Sequence, residues 1–171
     1  VPLGQSGMVT VRGRNVMVGY LGQPALTKQV VRDGWYVTGD IGMMDEDGFL
    51  QITDRLSRFS KIGGEMVPHG RVEQLLQEAI GGDTQKFAVT AVAHDKKGER
   101  LMVLTTLGSE DISGVLESLV SSGLPNLFIP RKDQFIIVDK LPVLGTGKLD
   151  LREMKRIAMA AAAPSRSEET R

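Results

Sequence analysis

The order of apolar and polar residues divides the chain into two regions with different predicted structures. Up to about residue 53, short apolar runs alternate with glycine-containing turns, which is typical of β-strands. Strands are predicted at 7–13, 35–38 and 49–53, and the apolar run at 15–20 predicts a further one. This region is therefore predicted to be all-β, with many turns and little helix.

The pattern changes after about residue 54. Apolar residues recur with helical spacing over 69–80, which predicts a helix that Gly81 ends. Asp150 is a predicted N-cap, and Glu153 would complete a capping box at the start of a last helix. Turn residues bound the other predicted elements: strands at 57–62, 65–67, 87–93, 101–107 and 134–138, and a helix at 109–122.

These elements predict an α+β fold with a boundary near residues 53 to 55. Residues 1–53 form a β-rich part, and residues 54–163 form a compact α+β domain. The predicted content of that domain is a β-hairpin and a three-stranded, mainly antiparallel sheet flanked by helices. The polar tail, 164–171, is predicted to be disordered. Because the chain starts at Val1 without an initiator Met, we interpret it as part of a larger protein.

Composition narrows the classes of function. Lys plus Arg and Asp plus Glu number 21 each, so the zero net charge gives no bulk attraction to nucleic acid or to an anionic membrane. The lack of cysteine excludes disulfides, thiol nucleophiles and cysteine metal sites, and fits a reducing, cytoplasmic environment. No apolar run approaches the roughly 20 residues of a membrane span. We expect no nucleic-acid partner and no metal ligands in this chain.

Three segments carry residues suited to chemistry. In the first, Tyr-Val-Thr-Gly-Asp at 36–40, the glycine lets the backbone turn and presents the two carboxylate oxygens of Asp40, which suit a vicinal diol such as ribose. In the second, 141–148, a loop with two glycines holds Lys148 ahead of a helix, where its mobile charge could neutralise a phosphate. Taken alone, the first is also typical of an ordinary turn and the second of a surface lysine.

The third segment, 54–65, combines cations with a flexible turn. Arg55, Arg58 and Lys61 recur every three residues on a predicted strand. The pair Gly63-Gly64 permits a positive φ and the close approach of a ligand. A solvated basic strand that ends in an ordinary hairpin turn would show the same pattern.

Taken in chain order, these segments resemble the closing part of the adenylate-forming enzymes, the superfamily of acyl-CoA synthetases, peptide-synthetase adenylation domains and luciferases. Residues 11–21 resemble the strand and Gly-Tyr turn that precede the family's Thr-Gly-Asp motif, and 34–40 resemble that motif itself. Residues 54–64 resemble the hinge motif, and 142–148 resemble the terminal lysine motif. The resemblance covers about residues 6 to 160.

The resemblance implies a domain arrangement and a role for each motif. Residues 1–53 would end a large N-terminal domain, and 54–163 would be the small mobile C-terminal domain. Asp40 would bind the ribose hydroxyls of ATP, and Arg55 would contact the same side of the nucleotide. Lys148 would be the catalytic lysine that reaches the phosphate and carboxylate during adenylation.

The hinge motif and the hairpin after it are implied in the second half-reaction. Gly63 and Gly64 would line the pantetheine tunnel during thioester formation, and Lys61 stands where some relatives use a second lysine. The hinge position, Ser57, departs from the family, which usually has Asp or Lys there. Rotation needs only tolerant backbone torsions, so the resemblance still implies a hinge, without a charged role for Ser57.

The sequence around the hinge, residues 54–68, is most similar to the acyl-[acyl carrier protein] synthetase part of the bifunctional 2-acylglycerophosphoethanolamine acyltransferase/acyl-ACP synthetases. It implies a ligase that uses ATP with Mg to join a fatty acid to the phosphopantetheine thiol of acyl carrier protein. A fatty acyl-CoA ligase and a non-catalytic carrier-protein-binding module are the alternatives.

The resemblance also sets expectations for the chain alone and for its parent. The family's phosphate loop and an acyl pocket do not occur in this sequence, so we expect no adenylation by the isolated chain. Its partners would be its own large N-terminal domain, the fatty acid, and acyl carrier protein or CoA. The domain is expected to be cytoplasmic, and its parent would reach a membrane only through an upstream acyltransferase domain.

Overall fold

The computed structural model describes residues 1–121 and 125–163, so the predicted tail at 164–171 lies outside the described residues. The chain divides into two compact units, Val1–Arg58 and Phe59–Arg171, which we call the first and second unit. The division falls a few residues after the predicted boundary. The assignment of these units to larger domains stays a prediction.

The first unit is a four-stranded antiparallel sheet with one short helix. Its elements in chain order are β1 (Ser6–Val11), α1 (Pro24–Val30), β2 (Val31–Arg32), β3 (Trp35–Met44) and β4 (Leu50–Arg55). Strand β3 is the organising strand, because β1, β2 and β4 all pair with it. No apolar side chain within residues 1–58 is fully buried. Backbone hydrogen bonding between strands is therefore the main interaction that orders this unit.

The strand predicted at 15–20 is wrong. The apolar run at 15–20 forms no strand, and a helix, α1, follows it. Pro24 lies in the first turn of that helix, where its fixed φ and missing N–H are tolerated. The Tyr20 N–H donates to Thr27 Oγ1 at 2.9 Å, and a Cβ on Gly19 would lie only 2.7 Å from Thr27 Cγ2. The run therefore packs on the helix instead of joining the sheet.

The second unit contains five strands and three α-helices among its described residues. In chain order they are β5 (Phe59–Ile62), β6 (Glu65–Pro68), α2 (His69–Ile80), β7 (Phe87–His94), β8 (Gly98–Thr105), α3 (Ser109–Ser121), β9 (Phe135–Ile137) and α4 (Leu151–Ala162). The helix predicted over 69–80 has these bounds, because its apolar spacing is regular and Gly81 follows with a positive φ.

The strands of this unit form one mixed sheet. Strands β7 and β8 pair antiparallel along their whole length, and β9 pairs parallel with β8. The β5–β6 hairpin joins β8 through a single residue pair, Ile62 with Gly98. The predicted fold class, α+β with a hairpin and a mainly antiparallel sheet flanked by helices, is confirmed. The hairpin and the three-stranded part are continuous, which gives five strands in the sheet.

The core of the second unit lies on both faces of β7 and β8. Phe87 and Val89 point to one face, where they pack with apolar side chains of α2 and α3. Ala88 and Leu104 point to the other face and pack around Met154 of α4. This alternation follows from the two-residue period of a strand. It gives three layers, with α2 and α3 on one side of the sheet and α4 on the other.

The outer edge of β7 is bonded by side chains. The Val89 N–H donates to the carboxylate of Glu73 on α2 at 2.6 Å. Gln85 Nε2 donates to the Phe87 carbonyl at 3.1 Å, and the ammonium of Lys155 on α4 donates to the Ala91 carbonyl. Both neighbouring helices thus contribute bonds that an additional strand would otherwise supply. We call Glu73, Gln85 and Lys155 the edge seal.

Two local predictions for the domain predicted at 54–163 need correction. A short 3-10 turn, Leu56–Arg58, precedes β5, so Arg55, Arg58 and Lys61 do not share one strand. Asp150 does cap α4, with Oδ1 accepting from Arg152 N and Glu153 N at 3.1 Å. Glu153 does not complete a capping box, because its carboxylate binds the guanidinium of Arg156 at 2.6 and 2.8 Å.

Candidate functional site

The Thr-Gly-Asp segment forms a bulge in β3. Between two regular pairs of β1 and β3, the three residues 38–40 lie opposite Val9 alone. The Thr38 hydroxyl donates to the Val9 carbonyl at 3.0 Å and accepts from the Asp40 N–H at 3.0 Å. Gly39 has a φ of 79°, a conformation that favours a residue without a Cβ. The turn predicted at Gly39 is therefore a bulge that sets the direction of Asp40.

Asp40 and Arg55 form an ion pair across neighbouring strands. They are opposite each other in the β3–β4 register, and Arg55 Nε lies 2.8 Å from Asp40 Oδ1. The Asp40 side chain is 24% exposed and that of Arg55 is 66% exposed, so we expect the pair to add about 1 kcal/mol or less to stability. Its main effect is to orient the carboxylate. Since a carboxylate has two oxygens, Asp40 can accept further hydrogen bonds beside Arg55.

Tyr36 lies within electrostatic reach of this pair. A hydrogen bond with Tyr20 raises the pKa of Tyr36 above 10.0, its ordinary value. Partial burial and the charge of Asp40 act in the same direction, whereas Arg55 acts in the opposite one. Tyr36 is therefore a neutral phenol at physiological pH. The bulge, the ion pair and the tyrosines form one polar surface of the first unit.

The predicted hinge residue lies where the two units divide. Ser57 is the middle residue of the 3-10 turn Leu56–Arg58 and is exposed to solvent. It stands one residue before the end of the first unit, and β5 begins two residues after it. The polypeptide thus passes from one unit to the next through a short exposed turn.

The predicted thioester-step residues lie at the tip of the β5–β6 hairpin. Lys61 is exposed on β5, and Gly63 and Gly64 form the turn with φ values of 59° and 98°. A Cβ on Gly64 would meet no atom within 4 Å, and one on Gly63 would lie 3.9 Å from Leu127 Cδ2. Glycine is therefore required here by the backbone conformation and not by crowding inside the unit.

A cavity of about 370 Å³ lies beside this turn. The Gly63 N–H donates to the Lys97 carbonyl at 3.0 Å, which ties the turn to the cavity rim. The cavity walls combine apolar and basic side chains, among them Ile62, Leu127, His94, Lys97, Arg100 and Arg131. Three permanent cations next to apolar surface suit an organic ligand that carries phosphate groups.

Lys148 lies on a small hairpin loop that leads directly into α4. Val143 and Leu149 form an isolated antiparallel bridge, and the Leu144 N–H donates to the Lys148 carbonyl at 2.7 Å. Gly147 closes the turn with a φ of 81°. The Lys148 side chain is exposed at the loop end. The loop conformation is thus defined by the backbone while the ammonium stays available to a ligand.

Sequence inspection missed four residues that shape these motifs. Thr38 holds the bulge, Glu99 accepts from the Lys61 N–H, and Arg100 and Arg131 line the cavity. The threonine of Thr-Gly-Asp was a usable signal, because its hydroxyl can replace a backbone partner. The other three act through contacts between residues distant in sequence, for which a single sequence carries no signal.

The described residues contain neither a cluster suited to a metal ion nor a helix suited to crossing a membrane. Among residues 1–121 and 125–163, no group of three or more His, Asp or Glu side chains is placed to hold a metal ion. None of the described helices has the length and apolar character needed to cross a membrane.

The second unit has the fold of the small C-terminal domain of adenylate-forming enzymes, and the relatives of the chain are acid–CoA ligases of that superfamily. The chain is 34% identical over 158 residues to feruloyl-CoA synthase from an Amycolatopsis species, which covers 91% of this chain and 31% of that protein. It is also 34% identical over 158 residues to a long-chain-fatty-acid–CoA ligase of Escherichia coli, covering 91% of this chain and 27% of that protein. No protein-family model matches the chain.

Solved structures also share the fold of this chain. ATP-bound MatB from Rhodopseudomonas palustris matches with a TM-score of 0.74 and 30% identity, covering 92% of this chain and 31% of that one. The amide bond synthetase McbA from Marinactinospora thermotolerans matches with a TM-score of 0.69 and 32% identity, covering 92% of this chain and 32% of that one. The chain spans about a third or less of the relatives it matches.

Proposed function

We propose that this chain is part of an ATP-dependent acid–thiol ligase. The enzyme would convert a carboxylic acid into its acyl-adenylate and pass the acyl group to a thiol. The observation that carries the proposal is the exposed Lys148 on a hairpin loop ahead of α4, in a fold similar to that of an ATP-bound relative. The oriented Asp40 carboxylate supports it, because a ribose diol needs such an acceptor.

In the first half-reaction, a carboxylate oxygen of the acid attacks the α-phosphorus of ATP, and pyrophosphate leaves. Lys148 would donate to the oxygens on which negative charge grows, which lowers the barrier. Asp40 would accept from the ribose hydroxyls while Arg55 holds its other oxygen. Magnesium would enter with the triphosphate, since the described residues hold no converging set of metal ligands.

In the second half-reaction, the acceptor thiol attacks the carbonyl carbon of the acyl-adenylate, AMP leaves, and the thiol proton passes to solvent. Gly63 and Gly64 would border the path of the pantetheine arm, with Lys61 beside it. A hinge at Ser57 would let the second unit use the Lys148 loop in one half-reaction and this hairpin in the other.

The proposal also specifies the thiol acceptor and the carboxylic acid substrate. We favour CoA as the acceptor, because the cavity beside Gly63 is lined by Lys97, Arg100 and Arg131, which suit its phosphates. The relatives include both a feruloyl-CoA synthase and a long-chain-fatty-acid–CoA ligase, and we favour the fatty acid as the substrate. Acyl carrier protein is the second candidate for the acceptor, and the sequence around the hinge at 54–68 supports it.

The test uses the full-length protein that contains these residues. Lys148→Ala should lower acid-dependent ATP–pyrophosphate exchange by orders of magnitude, while thioester formation from preformed acyl-adenylate survives. Lys140→Ala is the matched control, because Lys140 is also exposed and lies just ahead of the loop. Unchanged exchange in Lys148→Ala, or no exchange in the wild type, would favour a non-catalytic binding module.

The acceptor is tested by comparing CoA with phosphopantetheinylated acyl carrier protein. Replacing Arg100 with Ala should raise the KM for CoA and leave the KM for ATP unchanged if the cavity receives CoA. Faster acylation of carrier protein than of CoA would favour the second candidate. A panel of fatty and aromatic acids in the exchange assay identifies the acid.

A further inference from the structure

The β5–β6 hairpin depends on a carboxylate for its attachment to the sheet. Besides the single pair of Ile62 with Gly98 and the bond from the Gly63 N–H to the Lys97 carbonyl, the Lys61 N–H donates to Glu99 Oε2 at 2.8 Å. A Cβ on Gly98 would lie 3.3 Å from the Lys61 carbonyl oxygen, so the turn before β8 packs closely on this strand. The Glu99 carboxylate therefore takes the place of the backbone acceptor that a longer ladder would supply.

This bond acts on the segment that leads into the glycine turn. Ile62 is 4% exposed and belongs to the core, but apolar contacts are non-directional and leave the hairpin free to tilt. A hydrogen bond to a carboxylate is directional, and its charge strengthens it. Glu99, together with the backbone bond from Gly63 to Lys97, therefore fixes the angle at which β5 presents Lys61 and Gly63.

The Lys148 loop has an equivalent contact through α4. The Lys155 ammonium donates to the Ala91 carbonyl on the outer edge of β7. Ala91 is 2% exposed, so water has little access to this carbonyl and the lysine is an important donor for it. Met154, the preceding residue, is fully buried in the core and sets the depth of the helix. The directional bond sets its rotation and its position along the strand.

The position of α4 is transmitted directly to the loop. Asp150 caps the helix through Arg152 N and Glu153 N, and its own N–H donates to the Pro142 carbonyl at 2.9 Å. The loop that carries Lys148 is thus bonded at both of its ends to the start of α4. A small rotation of the helix would move the Lys148 ammonium.

We propose that Glu99 and Lys155 are positioning residues that serve different half-reactions. Glu99 positions the hairpin for thioester formation, and Lys155 positions the Lys148 loop for adenylation. This inference rests on the proposed function of the two motifs. The two contacts lie on different strands and involve different loops, so each can be removed without touching the other.

Two variants of the full-length enzyme test the inference. Glu99→Ala should slow thioester formation from preformed acyl-adenylate about tenfold or more and leave ATP–pyrophosphate exchange within about twofold, because sub-ångström to 1 Å misplacement can cost up to about 100-fold. Lys155→Met should show the opposite pattern, with exchange reduced and thioester formation retained. A general loss of folded protein would lower the rates of both half-reactions together.

Conservative and matched variants separate positioning from charge. Glu99→Gln keeps an oxygen acceptor for the Lys61 N–H and should recover most of the thioester rate. Glu78→Ala removes a carboxylate that accepts a hydrogen bond from Gln74, and Arg156→Met removes the cation next to Lys155 that pairs with Glu153. Both controls should leave the ratio of the two half-reactions unchanged.

A readout independent of activity uses the 171-residue chain. Amide hydrogen exchange of Lys61 should become faster in Glu99→Ala and stay at the wild-type rate in Lys155→Met. An unchanged Lys61 exchange rate, or equal loss of both half-reactions in either variant, overturns the inference. If Lys148→Ala leaves pyrophosphate exchange intact, the proposed function fails instead, and the two failures are distinguishable.

Discussion

The two units hold their motifs by different physical means. Every apolar side chain that is fully buried among the described residues lies in the second unit, from Ile62 to Ala158. The first unit keeps its bulge in place with strand pairing and the Thr38 hydroxyl, while Phe49, Leu50 and Ile52 of its fourth strand region are 73%, 51% and 52% exposed. Local geometry can thus be defined without a core, but independent stability requires one.

The largest expected effect is a difference in cooperativity between the units. Trp35, the single tryptophan, lies in the first unit, so its fluorescence reports on that unit, whereas helical circular dichroism reports mainly on the second. In urea, we expect the fluorescence change to come earlier and to be broad, because burial drives cooperative unfolding. One sharp transition shared by both signals would contradict this difference.

A matched pair of phenylalanines sharpens the comparison. Phe87 is 1% exposed in the core of the second unit, and Phe49 is 73% exposed in the first. We expect Phe87→Ala to cost about 3–5 kcal/mol of unfolding free energy and Phe49→Ala less than about 0.5 kcal/mol. Urea titrations measure the cost of Phe87→Ala by circular dichroism and that of Phe49→Ala by Trp35 fluorescence, and equal costs would mean that the first unit buries Phe49 in solution.

Two glycines of the Lys148 loop test whether backbone conformation alone positions the lysine. A Cβ would meet nothing within 4 Å at either Gly145 or Gly147, but only Gly147 has a positive φ, 81°. We expect Gly147→Ala to cost about 1–2 kcal/mol locally and to reduce ATP–pyrophosphate exchange in the full-length protein. Gly145→Ala should be tolerated, so similar losses in the two variants would exclude a conformational cause.

The smallest expected effect concerns a surface pair of the second unit. A hydrogen bond from Arg156 lowers the pKa of Glu153 below 4.5, its ordinary value. A lowered folded-state pKa stabilises the protein above pH 4.5, and the contribution is lost as the pH falls through the folded-state value. Wild type should therefore exceed Arg156→Met in stability at pH 7 by a small margin that is lost in thermal unfolding as the pH falls well below 4.5. A margin that persists in acid would show that packing by the arginine stem causes it.

The sequence pattern was most informative where local signals agreed with the packing. The bounds of α2 follow from its apolar spacing and from Gly81, and Asp150 is the N-cap that its residue type predicts. The motif residues Asp40 and Arg55 were singled out separately, and the register of β3 and β4 places them opposite each other. Residue type indicated the chemistry, and strand pairing supplied the geometry.

The failures of sequence reasoning share one cause. The run at 15–20 has the composition of a strand, but the decisive contact is between Gly19 and Thr27 on the short helix α1. The parallel pairing of β9 and the bonds from Glu99 and Lys155 join residues 32 to 64 positions apart. Contacts at such separations depend on the assembled fold, and local propensity does not encode them.

The edge seal of β7 bears on how the protein behaves at high concentration. An exposed strand edge is a template on which the strand of a second molecule can add, which begins ordered aggregation. To pair with β7, an incoming strand would first have to displace the bonds from Glu73, Gln85 and Lys155. The same three side chains that complete the hydrogen bonding of the sheet therefore also protect its edge strand β7 against self-association.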